Sequence, residues 1–520
     1  MTGAASTLPG AASTLPGAAS TSPGAASTLI AAAPREGVRH LLSPAAWAAL
    51  PDALALEPGL ALLALWAEPG LVHAAFLDEA APALLLASAP AAEGRYAALS
   101  PARPGAMRFE RMIRDLWGLA AVGGDDRPWL DHGRWPTTAP MSARPLPNTA
   151  PPPDPRFLPA EGEGVHQIPV GPVHAGIIEP GHFRFHVQGE TVVRLEVLLG
   201  YTHKGTLGLM LGRSPRAAAR YAARLSGDST VAHAFAFARA AEAALGTAPP
   251  PRAAALRGVM AELERIHNHL NDFGFICNDA AFAYLHARCA TLREHLLRAT
   301  RAAFGHRLMM DAIIPGGVAQ DIAPLGRAAL LAALDAISTE LPALGRIYDT
   351  HSSLLDRVAG TGTLDPELVA RFAAGGHVGR ASGRGFDART ALPYPPYDAL
   401  PPVVPVLTTG DVDARARIRR LELPESIRLA HTLLEHLPEG EIATPLPQRA
   451  GEGIALVEGF RGECLAWLRL DDGGLIRGVF LRDPSWLHWP LLEAAMRDNI
   501  VADFPLINKS INASYSGVDL

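Results

Sequence analysis

Two histidines, His267 and His269, lie in the stretch ELERIHNHLNDFG together with Glu262 and Glu264. Imidazole beside carboxylate is the combination from which metal sites and acid–base pairs are built. The spacing argues otherwise. Glu262 to His267 and Glu264 to His269 are five residues apart, whereas one helical face needs three or four. These four therefore read as packing or interface residues of a helix. The cysteines are Cys277, Cys289 and Cys464, with no CxxC pair, which excludes a disulfide framework and points to a reducing compartment. Gly316 and Gly317 in IPGGV precede no Lys-Ser/Thr, so they read as a turn rather than a phosphate cradle. No dinucleotide-binding fingerprint occurs, and any NADH would bind another chain.

The elements that must position such residues are spread over 520 residues with a formal net charge of −6. No basic stripe stands out, so nucleic acid is not an expected partner. No uninterrupted apolar run reaches the roughly 18 residues of a membrane span; the best stretch, 53–89, is broken by Glu57, Glu68, Asp78 and Glu79. With no signal-peptide pattern either, the expectation is a cytosolic chain that touches membrane through partners, and the sequons at Asn508 and Asn512 carry no weight. Residues 3–29 repeat GAASTLP almost four times, predicting a disordered tail over 1–34 because proline recurs and large side chains are missing. A domain over 35–135 ends in RFERMIRDLWG. Nine prolines between Pro136 and Pro159 predict a linker over 136–162. Residues 163–520 carry two short strand patterns, FRFHV and VVRLEVLL. Helical patterns follow over roughly 215–246, 252–275, 280–304, 325–349 and 411–437, and then a hairpin, LAWLRL–DDGG–LIRGVFL. The class is α+β, dominated by a helical bundle.

Two stretches carry a family resemblance. RFERMIRDLWG with DDRPWLDHGRWP resembles the end of the 30-kDa subunit of respiratory complex I, a domain fused to the front of some formate-hydrogenlyase-type large subunits. GPVHAGIIEPGHFRF, GYTHKG, ELERIHNHLNDFG, IPGGVAQD, GDVDARARIR and RDPSWLHWP follow in family order. They resemble the 49-kDa subunit of complex I and the large subunit of group 4 nickel–iron hydrogenases. The resemblance covers nearly everything after residue 35. It implies a complex I 30-kDa-like α/β domain ahead of a mainly helical hydrogenase large-subunit-like domain with small β-sheets.

In the hydrogenases, two CxxC pairs supply four thiolates to nickel and iron. The stretch matching the first pair reads RLSGDSTVAH, with Ser226 and Ser229 at the cysteine positions. The stretch matching the second reads DPSWLH, with Ser485 and His488 there. Nickel and iron need soft, readily deprotonated thiolates, and a serine hydroxyl is far too weak an acid. The resemblance therefore implies a member without a nickel–iron centre and without metal ligands. A hydrogen-bonded polar remnant is the expected content of the pocket. The alternatives are a hard ion such as Zn²⁺ and a Ser–His pair drawn from Ser226, Ser229 and His488, which no nucleophile elbow accompanies.

In complex I the same cavity receives a quinone head group, whose two-electron, two-proton reduction needs hydrogen-bond donors at both carbonyls. His174, in GPVH, matches the first histidine of the family turn, and Asp279, in CNDAAF, matches the family's helix carboxylate. The second histidine position falls at Ile178 and the tyrosine position at Gly227, leaving His488, His182 and Tyr201 as substitute donors. His174 also stands as a structural residue, since GPVH occurs in the hydrogenases too. Arg224 matches an arginine near the iron–sulfur cluster of a small partner subunit, where a fixed positive charge raises reduction potential; an ordinary salt-bridged arginine is the alternative. The histidine near that cluster is replaced around Met309–Met310.

The resemblance implies a peripheral subunit on the cytoplasmic face of the cell membrane, in an NADH–quinone oxidoreductase-like complex. Its partners would be a small iron–sulfur subunit together with antiporter-like and quinone-module membrane subunits. Electrons would pass from partner clusters to an acceptor, with quinone as the candidate, and coupling would run through loops such as GPVHAGIIEPG. The rival readings are a non-catalytic scaffold and an active hydrogenase.

Overall fold

The computed structural model describes residues 24–152, 154–174 and 178–520. Three copies of the N-terminal repeat end in proline, whereas the fourth ends in Ile30. Without the helix breaker, Ala25–Ala31 closes into a helix that buries Ala26 and Ile30. The Glu57 carboxylate accepts the Ala26 and Ser27 amides at its start, at 2.8 and 2.9 Å. A helix thus lies inside the tail expected over 1–34; residues 1–23 lie outside the described residues.

Five strands follow in the spatial order Arg35–Glu36, Arg39–Leu41, Ala83–Pro90, Leu71–Asp78, Leu60–Glu68. All neighbours are antiparallel except Arg39–Leu41 with Ala83–Pro90. Leu60–Glu68 reads LALLALWAE and is buried along its whole length, as a continuous apolar run requires. It packs against the Ala106–Trp117 helix and the C-terminal hairpin. The Trp66 ring lies parallel to Phe480 at 5.2 Å and tilted on Trp467 at 5.3 Å. Arg482 Nε donates to the Leu63 carbonyl at 3.1 Å, and ion pairs Arg469–Glu68 (2.7 Å) and Arg39–Glu452 (2.6 Å) cross the same seam. The amino-terminal unit and the body therefore share one apolar core.

The proline-rich segment over 136–162 is a fastened strap rather than a free linker. Glu196 accepts the Leu158 amide at 3.0 Å, and Arg194 donates to the Pro159 carbonyl at 2.6 Å. It leads into an antiparallel sheet of Val165–Val170, His182–Gln188 and Thr191–Leu198.

The helical body follows the predicted order: Pro251–Asp279, Ala283–Phe304, Pro324–Thr350 and Val412–Glu435. The helix expected over 215–246 is two, Pro215–Ala222 and Thr230–Leu245. They part at Ser226-Gly227-Asp228-Ser229, where glycine and short polar side chains favour turns over helix. Contrary to the sequence expectation, Pro324–Thr350 is long and apolar enough to cross a membrane by length and composition alone. Its alanines raise the mean hydropathy without forming one unbroken bulky run, and it packs against the Ala283–Phe304 and Val412–Glu435 helices. The C-terminal hairpin gains a third strand, Gly451–Gly459. The overall class is α+β with helices dominating.

Candidate functional site

The RLSGDST turn and DPSWLH are 250 residues apart at His233 and Asp483, yet they meet in the core: His233 Nε2 lies 2.8 Å from Asp483 Oδ2. Ser226 and Ser229 end the turn ahead of Thr230–Leu245, and Ser485 starts the Ser485–Ala495 helix. All three serines are buried. Ser226 Oγ donates to Asp228 Oδ1 at 2.9 Å and shares a hydrogen bond of the same length with Ser514 Oγ. Ser485 Oγ accepts the Ser514 amide at 2.8 Å, so the C-terminal segment bridges the two motifs.

Arg461, which precedes the Gly462–Leu470 strand, sits at the centre. Its guanidinium grips Asp228 through both terminal nitrogens, at 2.6 and 2.5 Å. It also donates to Ser229 Oγ at 3.0 Å and, through Nε, to the Asn512 carbonyl at 2.5 Å. Burial by itself would raise the Asp228 carboxyl; the guanidinium and the Ser226 hydroxyl outweigh it and hold the group below its ordinary value. Asp483 behaves alike. Burial would raise it, but the His233 ring, the Arg461 charge and Ser485 hold it well below the usual carboxylate range. A cation, two carboxylates, four hydroxyls and the His233 ring pair with one another here.

A nickel–iron centre does not fit these residues. Hydroxyls stand at the positions that the resemblance assigns to thiolates, Arg461 brings fixed positive charge to the cluster, and Ser514 spans Ser226 and Ser485. Among the described residues no group of three or more His, Cys, Asp or Glu is arranged to hold a metal ion. Nor does a Ser–His pair form. Ser226 and Ser229 bond within the Asp228–Arg461 cluster, while the nearest partner of His488 Nε2 is the Gly375 carbonyl at 3.3 Å. Burial pushes the His488 imidazole down to about 3, so it is neutral at pH 7.

The other expected site residues lie apart from this cluster. Arg224, two residues ahead of Ser226, is exposed and forms a two-pronged pair with Asp311 at 2.6 and 2.7 Å. His174 packs edge-on against Phe183, its buried Nε2 without a partner among the described residues. Part of the loop that follows it, 175–177, lies outside the described residues. Asp279 ends the Pro251–Asp279 helix half-buried; burial raises its carboxyl, and Asn278 donates to it at 3.5 Å. Of the substitute donors, His182 packs on Phe157 and Tyr201 on His132.

The Glu–His helix resolves as packing. His269 bonds Glu422 at 2.7 Å, and Glu262 meets Arg389 at 3.0 Å and Tyr397 at 2.6 Å. Glu264 accepts the Val231 and Ala232 amides at 2.7 and 2.9 Å, closing the start of Thr230–Leu245. Burial pushes its carboxyl up to about 8, those two bonds opposing the shift. Sequence reading missed Arg461 and Ser514. The one available signal was Asp228, a charge set inside the motif between the two serines.

Family models match the chain in two places: respiratory-chain NADH dehydrogenase, 49 Kd subunit, over residues 282–452, and nickel-dependent hydrogenase over residues 204–276. The carbon monoxide-induced hydrogenase of Rhodospirillum rubrum is 31% identical over 354 residues, 68% of this chain and 98% of the relative. An NADH-quinone oxidoreductase subunit from a Dehalococcoides mccartyi strain is 30% identical over 67% of this chain and 97% of its own length. This chain belongs to that family. Within the complex I 49-kDa/hydrogenase large-subunit family, formate hydrogenlyase subunit 5 of Escherichia coli matches a larger share of the chain. It is 28% identical over 82% of this chain and 77% of the relative. The fold agrees with a chain of the membrane-bound sulfane sulfur reductase, an archaeal respiratory membrane complex. The TM-score is 0.65 at 24% identity, covering 69% of this chain and 99% of that one. Members of the family are subunits of oxidoreductase complexes.

Proposed function

We propose that this chain is an electron-transfer subunit of a membrane-associated, complex I-like oxidoreductase, and that it works without a nickel–iron centre. The observation that supports this reading is the Arg461–Asp228 pair, closed by Ser226, Ser229 and Ser514, at the stretch that the resemblance assigns to the family's thiolates. Residues 35–135 would serve as the 30-kDa-type docking module. The longer match to formate hydrogenlyase subunit 5, which takes in 82% of the chain against 68% for the carbon monoxide-induced hydrogenase, is consistent with a module beyond the hydrogenase-like body. Partners would be a small iron–sulfur subunit and membrane subunits of the antiporter and quinone-module type, with the complex on the cytoplasmic face.

The acceptor would be a quinone held beside His174 and Asp279. Burial raises the Asp279 carboxyl and lowers the His174 imidazole, and a neutral imidazole suits hydrogen bonding to a quinone carbonyl. Arg224, exposed and held in place by Asp311, whose carboxylate offsets much of its charge, would face a partner cluster. A second reading, a scaffold that conserves shape without redox chemistry, is favoured by the mutual pairing of Arg461, Asp228 and the serines.

The test is metal analysis of the purified native complex together with electron transfer to a soluble quinone, comparing wild type with Asp279→Asn and Arg224→Ala. No stoichiometric nickel, and quinone reduction that falls in both variants, is the expected result. Stoichiometric nickel overturns the reading. Absence of reduction with every donor tried transfers it to the scaffold.

A further inference from the structure

Two adjoining cavities run along the seam between the Ala106–Trp117 helix, the strap and the sheet of residues 165–198. Their volumes are about 900 and about 710 Å³, and they share Arg111, Arg127 and Phe157 as walls. The larger is lined by five arginines against one carboxylate, Asp154, with Trp135, Phe157 and Tyr201 as flat walls. Three of those arginines are committed. Arg127 pairs with Asp125 and Glu196, Arg156 pairs with Asp126 at 3.1 Å, and Arg111 donates to the Arg127 and Pro128 carbonyls. Arg114 and Arg134 are exposed and have no side-chain partner among the described residues.

The smaller cavity holds a second sign of an unmet need. Arg108 is 3% exposed and spends one nitrogen on Glu493 at 2.9 Å, but its Nε and Nη1 have no partner among the described residues. Its guanidinium stands over the Trp129 ring at 5.0 Å. A buried cationic N–H left unpaired is costly, and a fold that retains one on the wall of a cavity is suited to an anion there. Glu196, Glu493, Asp365 and Asp498 line the same cavity. Three of the four already answer other groups: Glu196 the Arg127 side chain, Glu493 Arg108 and the Val197 amide, and Asp365 the Glu367 amide.

We propose that this cleft binds a phosphoryl anion carried on a flat or apolar body, the chemistry shared by a nucleotide and an anionic phospholipid. More than one uncommitted guanidinium calls for a group with several negative oxygens, and guanidinium suits phosphate oxygens geometrically. The aromatic and proline walls take the body by stacking or apolar contact. None of the lining residues belongs to the Asp228–Arg461 cluster, but Tyr201, one of the substitute donors, lines the larger cavity together with Pro172, two residues from His174; anion binding there is read without any electron acceptor.

The experiment is calorimetric titration of the full-length chain in its native complex with three probes: pyrophosphate for the shared chemistry, ADP for the nucleotide source, and dihexanoyl-phosphatidylglycerol for the lipid source. Saturable pyrophosphate binding that weakens with added salt is expected, with one of the two organic probes binding tighter and so naming the source. Arg114→Ala combined with Arg134→Ala removes two exposed charges without touching the core and is expected to weaken binding about tenfold or more. Trp135→Ala is expected to reduce ADP affinity while leaving pyrophosphate unchanged if the source is a nucleotide. Failure of all three probes to saturate overturns the proposal, whether the cleft is empty or covered by a partner subunit. Unchanged affinity in the double arginine variant overturns it as well.

Discussion

Replacing Arg461 with methionine keeps most of the side-chain volume and deletes the cation at the centre of the Asp228–serine cluster. Asp228 then loses both of its guanidinium bonds, Ser229 loses one donor, and the Asn512 carbonyl loses its own. Breaking a buried pair by removing one partner costs about 3–5 kcal/mol. Asp228 keeps 39% of its side chain exposed, so water recovers part of that loss, and about 2–3 kcal/mol is the expected cost of Arg461→Met. Asp228→Asn combined with Arg461→Met removes both charges and should be less damaging than the sum of the single changes, with a coupling of about 1–3 kcal/mol.

Urea unfolding followed by tryptophan fluorescence reads this directly, because buried Trp489 donates to the Ser514 carbonyl at 3.0 Å beside the cluster. The pH dependence carries a sign. Asp228 sits below its ordinary value when folded. Its contribution is therefore complete above about pH 4 and is lost as pH falls through the folded value. In Arg461→Met that acid-side loss shrinks. A single-variant cost below about 0.5 kcal/mol, or a double variant as unstable as the two singles added together, refutes the assignment of Arg461 as the organising charge.

Glu264, held protonated up to about pH 8 by burial, has its folded value raised, so its stabilisation is present below its unfolded value and is lost as pH rises towards 8. Glu264→Gln should flatten that slope by up to about 1 kcal/mol per pH unit, and parallel wild-type and variant stability curves between pH 5 and 8 would contradict it. Ile30→Pro restores the repeat's own breaker in the Ala25–Ala31 helix at a local cost of about 3 kcal/mol. Limited proteolysis around residues 24–34 should accelerate, and an unchanged cleavage rate would show that the helix is not held by Ile30.

The long helices could be read from sequence because their apolar period persists over many turns: the pattern over 252–275 lies within Pro251–Asp279, and that over 411–437 runs one or two residues past each end of Val412–Glu435. The break between Pro215–Ala222 and Thr230–Leu245 was hidden because the alanines on either side carry helix propensity straight across the serine–glycine turn. Gly451–Gly459 escaped notice because glycine at both ends lowers the strand signal. The motif positions themselves were readable. What fills them was not, since Arg461 reaches Asp228 across 233 residues of chain, and no local pattern records which buried guanidinium closes which turn. Ser514 is the same case: a short polar residue near the C-terminus that acquires meaning only when tertiary folding sets it between Ser226 and Ser485.

The aromatic seam has a mechanical consequence. Phe480, stacked on Trp66, and Arg482, anchored to the Leu63 carbonyl, lie in the strand that runs directly into Asp483. Asp483 in turn holds His233 and the Ser485 amide. The amino-terminal sheet and the Asp483–His233 contact are thus fastened to each other through one short strand, Ile476–Arg482, so that neither can shift without moving it.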